Sequence, residues 1–336
     1  MTASKIKEWV KNDGETPDWV ASQPDDVQAR LKSYFRATIA NNKPNTLKNR
    51  ATPLKQFSQW YHGNLLEVDS NVVEDWRDDL VVRDYGYRTV RQKIYAISSF
   101  YSRLEDRDHI QSNPVDAVDI DHYEKTRQSE HLEQEYVSKD QFQDMLDACE
   151  TTRECVCCLI FWDCGLRVGE AVDVKLGDIN RRKKSIEIET GKTRKMEEDD
   201  ERTVYYSQKF ENVLTEWLDN GKRNSYFGSS GPYLLVSEEA EQMYPGTVSD
   251  ILRDVADRAD VLKEMYTDKS NRTRYWPHPH ALRKSYGVYR TKRGMPIAYL
   301  STLMGHSDLQ VTRDKYLIFR DDDIRDADRR YRPNLS

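Results

Sequence analysis

The chain has 336 residues, 37% of them hydrophobic and 33% charged, with a formal net charge of −6. That length suits two domains, and the high charge suits a soluble, helix-rich molecule with a polar surface. No run of about 18 apolar residues occurs, which excludes a membrane-spanning helix, and the first residues, MTASKIKEWVKNDGE, lack an apolar signal core, so a cytoplasmic location is expected.

Residues 1–24 are polar apart from Trp9 and Trp19 and read as an N-terminal extension, with KIKEWVKN as a short helix. From Asp25 to Ala117 the pattern is helical: DDVQARLKSYFRATIA, a break over Asn41 to Pro44, then NTLKNRATPLKQFSQWYHG with Asn45 as its N-cap. Leu47, Leu54, Phe57 and Trp60 fall on one face of that helix. VEDWRDDLVVR and YRTVRQKIYAISSFYSRLEDR are further helices, and Pro114 in SNPVDAV ends the block. Residues 118–136, VDIDHYEKTRQSEHLEQEY, are strongly charged, nearly devoid of aliphatics, and read as an interdomain linker.

A second domain spans 137–336, with Ser138 placed to cap SKDQFQDMLDACE. CVCCLIFW is too continuously apolar for a surface and reads as a buried helix broken at Gly165. All five cysteines lie between Cys149 and Cys164, an odd, clustered set that is no disulfide framework. Cys155, Cys157 and Cys158 lack a histidine at ligand spacing, so buried thiols and no metal are expected. Arg167 sits at a turn with Glu170 three residues on. KKSIEIETGKTRK and ERTVYYS alternate as two strands of a hairpin. FENVLTEWLDN and GTVSDILRDVADRADV are helices, and NRTRYWP leads into one carrying His280 and Arg283, three apart and on one face. His278 is adjacent but out of that register. Gly305-His306 follows, and Tyr316 comes ten residues after His306. The acidic net charge argues mildly against a nucleic-acid binder, yet the basic clusters at 181–184, 192–195 and 290–293 allow a local basic face.

The ordered set Arg167-x-x-Glu170, His280-x-x-Arg283, Gly305-His306 and Tyr316 resembles the signature of the tyrosine recombinase (phage integrase) family, tightly over 138–319 and loosely over 25–117. The resemblance implies a mainly α protein with a small β-hairpin and an α+β catalytic domain, its two domains forming a C-shaped clamp on DNA. Residues 25–117 would be the all-helical, SAM-like core-binding domain, with Lys48, Arg50, Lys55, Arg88, Arg91 and Lys93 as candidate phosphate contacts. Lys192, in its Gly-Lys context, matches the family's hairpin lysine; Lys195 is the second choice and a candidate DNA contact. The acidic tip Glu197 to Asp200 departs from the basic or neutral tip of the family. Leu317, Ile318 and Phe319 would dock on a neighbouring protomer or pack within the chain.

The implied reaction is transesterification: the Tyr316 hydroxyl attacks a DNA phosphate, giving a 3′-phosphotyrosine and a free 5′-hydroxyl without any cofactor or metal. Arg167 and Arg283 suit the transition state because guanidinium forks stabilise charge developing on non-bridging oxygens. Tyrosine, with a reference pKa of about 10, needs a base, for which His280 is the candidate. Lys192 would protonate the leaving 5′-oxygen, His306 would bond the phosphate, and Glu170 would orient the arginines. The implied partners are duplex DNA at specific recombination sites and a homotetramer on that DNA, monomeric when free. The favoured role is the integrase of a virus, provirus or plasmid. The alternatives are a Xer-type dimer resolvase, a DNA-binding relative that does not recombine, and a topoisomerase-like relaxase.

Overall fold

The computed structural model describes residues 2–12, 14–42, 44–120, 136–189, 201–268 and 271–305. The chain divides into two compact units, Met1–Arg127 and Gln128–Ser336. The described residues are mainly helical, with a three-stranded and a two-stranded antiparallel sheet, the mainly α class that the sequence predicts.

The first unit is all-helical: α1 (Thr2–Asn12), α2 (Asp18–Ala21), α3 (Asp25–Asn41), α4 (Pro44–Tyr61), α5 (Ser70–Val82) and α6 (Tyr87–Glu105). Burial repeats at helical spacing because each helix turns one apolar stripe inward. On α3 the stripe is Val27, Leu31, Tyr34, Phe35 and Thr38; on α6 it includes Val90, Ile94, Ile97, Phe100 and Leu104. Helix α4 buries Leu47, Leu54 and Phe57 and half-buries Trp60. It begins at Pro44, one residue before the expected cap Asn45, because proline in the first turn lacks only an N–H that has no helical partner there. Asp69 caps α5 by accepting from the Val72 N–H at 3.0 Å. The Asn113 amide closes the block by donating to Ser98, Ser102 and Asp116 at 2.9–3.1 Å. Ring contacts tie the helices together, with Phe57 and Trp76 centroids 4.9 Å apart and Tyr34 and Phe100 5.4 Å apart.

The N-terminal stretch, which reads as an extension, is part of this core. Ile6, Trp9 and Val10 of α1 and Trp19 and Val20 of α2 are buried in the same cluster as Phe35 and Phe57. Ala3, Ile6, Trp9 and Val10 fall at helical spacing on one face of α1, but a stripe does not name its cover, and only the partners on α3 and α4 reveal it.

The second unit is built around α8 (Thr152–Cys164), which buries Val156, Cys157, Cys158, Leu159, Ile160, Phe161 and Cys164. Before it lies α7 (Lys139–Asp147), opened by a capping box in which Ser138 and Gln141 exchange hydrogen bonds of 3.1 and 2.9 Å. Burial pushes the Cys157 thiol up to about 12, which keeps it protonated as a core group. Gly165 ends α8 at φ +61°, and a Cβ there would stand 2.5 Å from the Tyr286 ring, so both backbone and packing call for glycine. After α9 (Val168–Asp173) come β1 (Ile179–Asn180), β2 (Ser185–Glu189) and β3 (Glu201–Tyr205), antiparallel in that order. Ile186 pairs with Val204 and Ile188 with Arg202, all facing inward. Then come α10 (Gln208–Leu214), prolonged by a π turn over Thr215–Asp219, and α11 (Pro245–Arg258).

A second hairpin, β4 (Lys263–Thr267) with β5 (Thr273–Trp276), precedes α12 (Pro279–Lys292) and α13 (Ile297–Met304). The sequence reads there only as an approach to α12, since these strands hardly alternate in burial and β4 is bulged between Glu264 and Tyr266. Tyr286, Val288, Leu300 and Met304 join α12 to α13. Trp9 is 4% exposed, and truncating a large aromatic in a core typically costs about 3–5 kcal/mol. Trp9→Ala should therefore lower the urea-unfolding free energy of the first unit by about 3 kcal/mol, where a loose extension would leave it unchanged.

Candidate active site

The Arg167-to-Glu170 spacing is a helix-start spacing. Arg167 is the N-cap of α9 and Glu170 its third residue, so the carboxylate folds back onto the arginine. Glu170 Oε2 accepts from the Arg167 backbone N–H at 2.8 Å, and Oε1 accepts from Arg167 Nη1 at 2.6 Å. Two further arginines reach the same carboxylate from distant segments. Arg202 of β3 donates from Nη1 to Oε1 at 3.2 Å and from Nη2 to Oε2 at 2.7 Å. Arg283 of α12, 1% exposed, brings Nη1 to 3.6 Å from Oε2.

One further nitrogen of each of these arginines meets the end of α13. Arg202 Nε donates to the Leu303 carbonyl at 2.9 Å, Arg283 Nη2 to Met304 at 2.6 Å, and Arg167 Nη2 to Gly305 at 2.9 Å. Three successive carbonyls at a helix C-terminus, groups that lack helical partners and carry the negative end of the dipole, thus each receive a different guanidinium. Arg283 Nη1 also donates to the Gly165 carbonyl at 2.5 Å, tying the end of α8 to the same cluster. Gly305 takes φ +60°, the left-handed conformation that ends α13.

Three guanidiniums around one carboxylate leave the cluster net positive. Burial alone would push the Glu170 carboxyl up, but hydrogen bonds and charge from Arg202 and then Arg167 outweigh it and hold the group at about 2. The carboxylate and carbonyl acceptors fix the guanidiniums in place, and Arg167, at 26% exposure, is the one of the three that an arriving anion would meet first.

The two histidines of α12 divide their work. His278 is the N-cap; its Nδ1 accepts from the Ala281 N–H at 3.3 Å, and burial pushes the imidazole below its ordinary pKa. His280 is exposed one turn before Arg283, its ring 6.4 Å from that of His278. Among the described residues no cluster of three His, Cys, Asp or Glu is placed to hold a metal, and no helix is long and apolar enough to cross a membrane.

Residues 135–321 match the model of the phage integrase family. The chain belongs to the phage integrase family. It is 22% identical over 297 residues to a tyrosine recombinase of Thermosipho africanus, covering 85% of this chain and 93% of that one. It is 24% identical to tyrosine recombinase XerD of Rickettsia bellii over 264 residues, 74% of this chain and 79% of that one. Its fold matches the Tn1549 transposon integrase in complex with transposon right end DNA, with a TM-score of 0.65, 16% identity, and coverage of 89% of this chain and 98% of that one. It also matches a lambda integrase dimer bound to a core site, with a TM-score of 0.63, 15% identity, and coverage of 87% and 97%.

In this tyrosine recombinase the structure brings Arg167, Glu170 and Arg283 together and carries His280 three residues before Arg283 on α12. Lys192, Lys195, His306, Tyr316 and Leu317 to Phe319 lie outside the described residues. On the first unit Lys48 and Arg88 are exposed and Lys55 is half-buried. The Arg50 guanidinium lies 5.9 Å from the Tyr34 ring centre, and that of Arg91 lies 5.3 Å from the Tyr95 ring centre. Lys93 differs from these. It is 8% exposed, donates to the Gln56 side-chain Oε1, and lies 4.8 Å from the Tyr85 ring, and burial pushes its pKa down.

The sequence reading passes over Arg202. A signal for it exists: strand alternation in ERTVYYS puts Arg202 on the inward face with Val204, and a buried guanidinium demands a partner. For Glu170 the sign is that of a depressed acid. Its contribution is fully present above the unfolded value of about 4.3 and is lost as pH falls towards 2; the difference corresponds to roughly 3 kcal/mol. The stability advantage of wild type over Glu170→Gln, followed by urea unfolding from pH 6 to 2.5, should shrink across that window and be constant above it.

Proposed function

We propose that this recombinase cuts and rejoins DNA at specific sites through a 3′-phosphotyrosine on Tyr316. The observation that carries the reading is the preformed cluster in which Glu170 holds Arg167 and Arg283 in a net positive site. Attack of the Tyr316 oxygen forms one phosphoester as the bond to the 5′-oxygen breaks. The two arginines stabilise the added charge on the non-bridging oxygens, and removing one such donor costs about 3–4 kcal/mol of transition-state stabilisation. His280 takes the tyrosine proton, Lys192 supplies one to the 5′-oxygen, and His306 bonds the phosphate. Because one phosphoester replaces another, the 5′-hydroxyl of a second strand can reverse the step and exchange strands.

The all-helical first unit and the unit carrying the site form, on this reading, the core-binding and catalytic domains, with the charged stretch 118–136 between them. Lys48, Arg50, Lys55, Arg88, Arg91 and Lys195 contact phosphates. Lys93 supports α4 and α6 from inside through Gln56. The working assembly is a homotetramer on paired sites, a form named for one structural neighbour, the lambda integrase tetramer bound to a Holliday junction. The protein acts on DNA in the cytoplasm.

Integration of a virus, provirus or plasmid is the favoured role. Resolution of replicon dimers is the second reading, and the names of relatives such as XerD of Rickettsia bellii and XerC of Staphylococcus saprophyticus favour it. Abrupt denaturation of cells carrying the native genome, capture of the protein and sequencing of attached DNA tests both. Wild type should retain DNA from one locus and Tyr316→Phe none. A locus at a mobile-element junction supports integration, and one near the replication terminus supports dimer resolution. Scattered loci would favour topoisomerase-like relaxation, and DNA recovered only by added crosslinker would leave a binding protein without strand transfer.

A further inference from the structure

We infer that Arg202 is a positioning residue for strand cleavage, locking the Glu170 carboxylate that orients Arg167 and Arg283 and tying the end of α13 to β3. The inference rests on the strand-transfer reading above. All three side-chain nitrogens of Arg202 donate to protein acceptors, two to Glu170 and one to the Leu303 carbonyl, so its contacts are all to the protein frame of the site.

The geometry shows what the residue adds. Arg167 already engages both Glu170 oxygens, Oε2 through its backbone N–H at 2.8 Å and Oε1 through Nη1 at 2.6 Å, but both contacts come from the same turn of chain and leave the carboxylate untied to the sheet. The Arg202 fork contacts both carboxylate oxygens from a second element, at 3.2 and 2.7 Å, and so holds the plane of the group against β3 as well as against its own helix start. That plane sends Oε1 to Arg167 Nη1 at 2.6 Å and leaves Oε2 3.6 Å from Arg283 Nη1. The third nitrogen, Nε, holds the Leu303 carbonyl at 2.9 Å and so sets the point at which the chain leaves α13 towards Gly305-His306. One side chain on the sheet therefore registers two parts of the site: the two arginines and the chain end that leads to the remaining site residues.

Lysine cannot replace this arrangement, because a single ammonium cannot span both carboxylate oxygens and the carbonyl with a planar fork. The role is positional and acts through the charge-stabilising arginines. A substrate that carries no charge on the reacting group should therefore no longer need it. Replacing one non-bridging oxygen of the scissile phosphate by a methyl group makes such a substrate, a neutral methylphosphonate.

The test uses the full-length protein and a synthetic duplex carrying the cleavage site recovered by covalent trapping, with either a phosphodiester or a methylphosphonate at the scissile position. The readout is the single-turnover rate of covalent-complex formation on each duplex, and their ratio within each variant, which cancels any difference in folded fraction. Arg202→Gln should slow the phosphodiester reaction about 100-fold, the scale for loss of one aligned donor, and the methylphosphonate reaction less than about threefold. The ratio would then rise at least about 30-fold over wild type, and Arg202→Lys should follow Arg202→Gln. An unchanged ratio, with both substrates slowed alike, would show a merely structural arginine and overturn the inference. Wild-type rates for Arg202→Lys would overturn it as well, since charge alone would then suffice. A wild-type protein that forms no complex with either duplex would overturn the strand-transfer reading first, and this inference with it.

Discussion

One carboxylate organises the second unit. Glu170 lies at the start of α9, yet it receives Arg167 from its own cap, Arg202 from β3 and Arg283 from α12. Its side chain is 11% exposed, so a lone charge there would be strongly disfavoured by lost hydration. The arginines would be no better placed without it, since two of them are nearly buried and would repel one another. Each charge is tolerable because the others are present. That mutual dependence is why removing one partner of a buried ionic group is far more damaging than its net worth suggests.

The end of α13 is the second half of the same constraint. Helices usually leave their last carbonyls to water or to a glycine cap. Here Leu303, Met304 and Gly305 hand theirs to the three arginines that share Glu170. The negative end of the helix thereby offsets part of the positive charge that Glu170 leaves uncompensated. An ionic cluster and a helix terminus, each unfavourable alone in a nearly dry site, satisfy one another. The result is a set of donors held rigid before any substrate binds, the property that electrostatic catalysis needs most.

The first unit follows different physics. Its core is aromatic and aliphatic, with Phe57 against Trp76 and Tyr34 against Phe100, and its cations lie largely on the outside. Arg50 and Arg91 rest near tyrosine rings, which limits the freedom of long side chains. Lys93 lies inside, where its ammonium joins two helices through Gln56. A helical pattern shows which residues lie on a face, and Lys93 shows that a charged residue can belong to the inner one.

What the sequence determined by itself is whatever depends on near neighbours in the chain. The capping box at Ser138 and Gln141, the buried helix ending at Gly165, the β2–β3 hairpin and the Arg167–Glu170 pair are all set by spacings of a few residues, and such spacings are legible because helix and strand periods are fixed. The order of the Arg167, His280–Arg283, Gly305-His306 and Tyr316 elements added the family by resemblance. The tertiary structure decided what depends on distant partners. Arg202 meets a carboxylate 32 residues away, and Arg283 a carbonyl 118 residues away. The burial of Ile6 and Trp9, the pairing of β4 with β5, and the split between a capping His278 and an exposed His280 also rest on which surfaces come together. A linear pattern carries the period of an element but not the identity of what packs against it, and it is that second surface which turned an inward-facing arginine into part of the site.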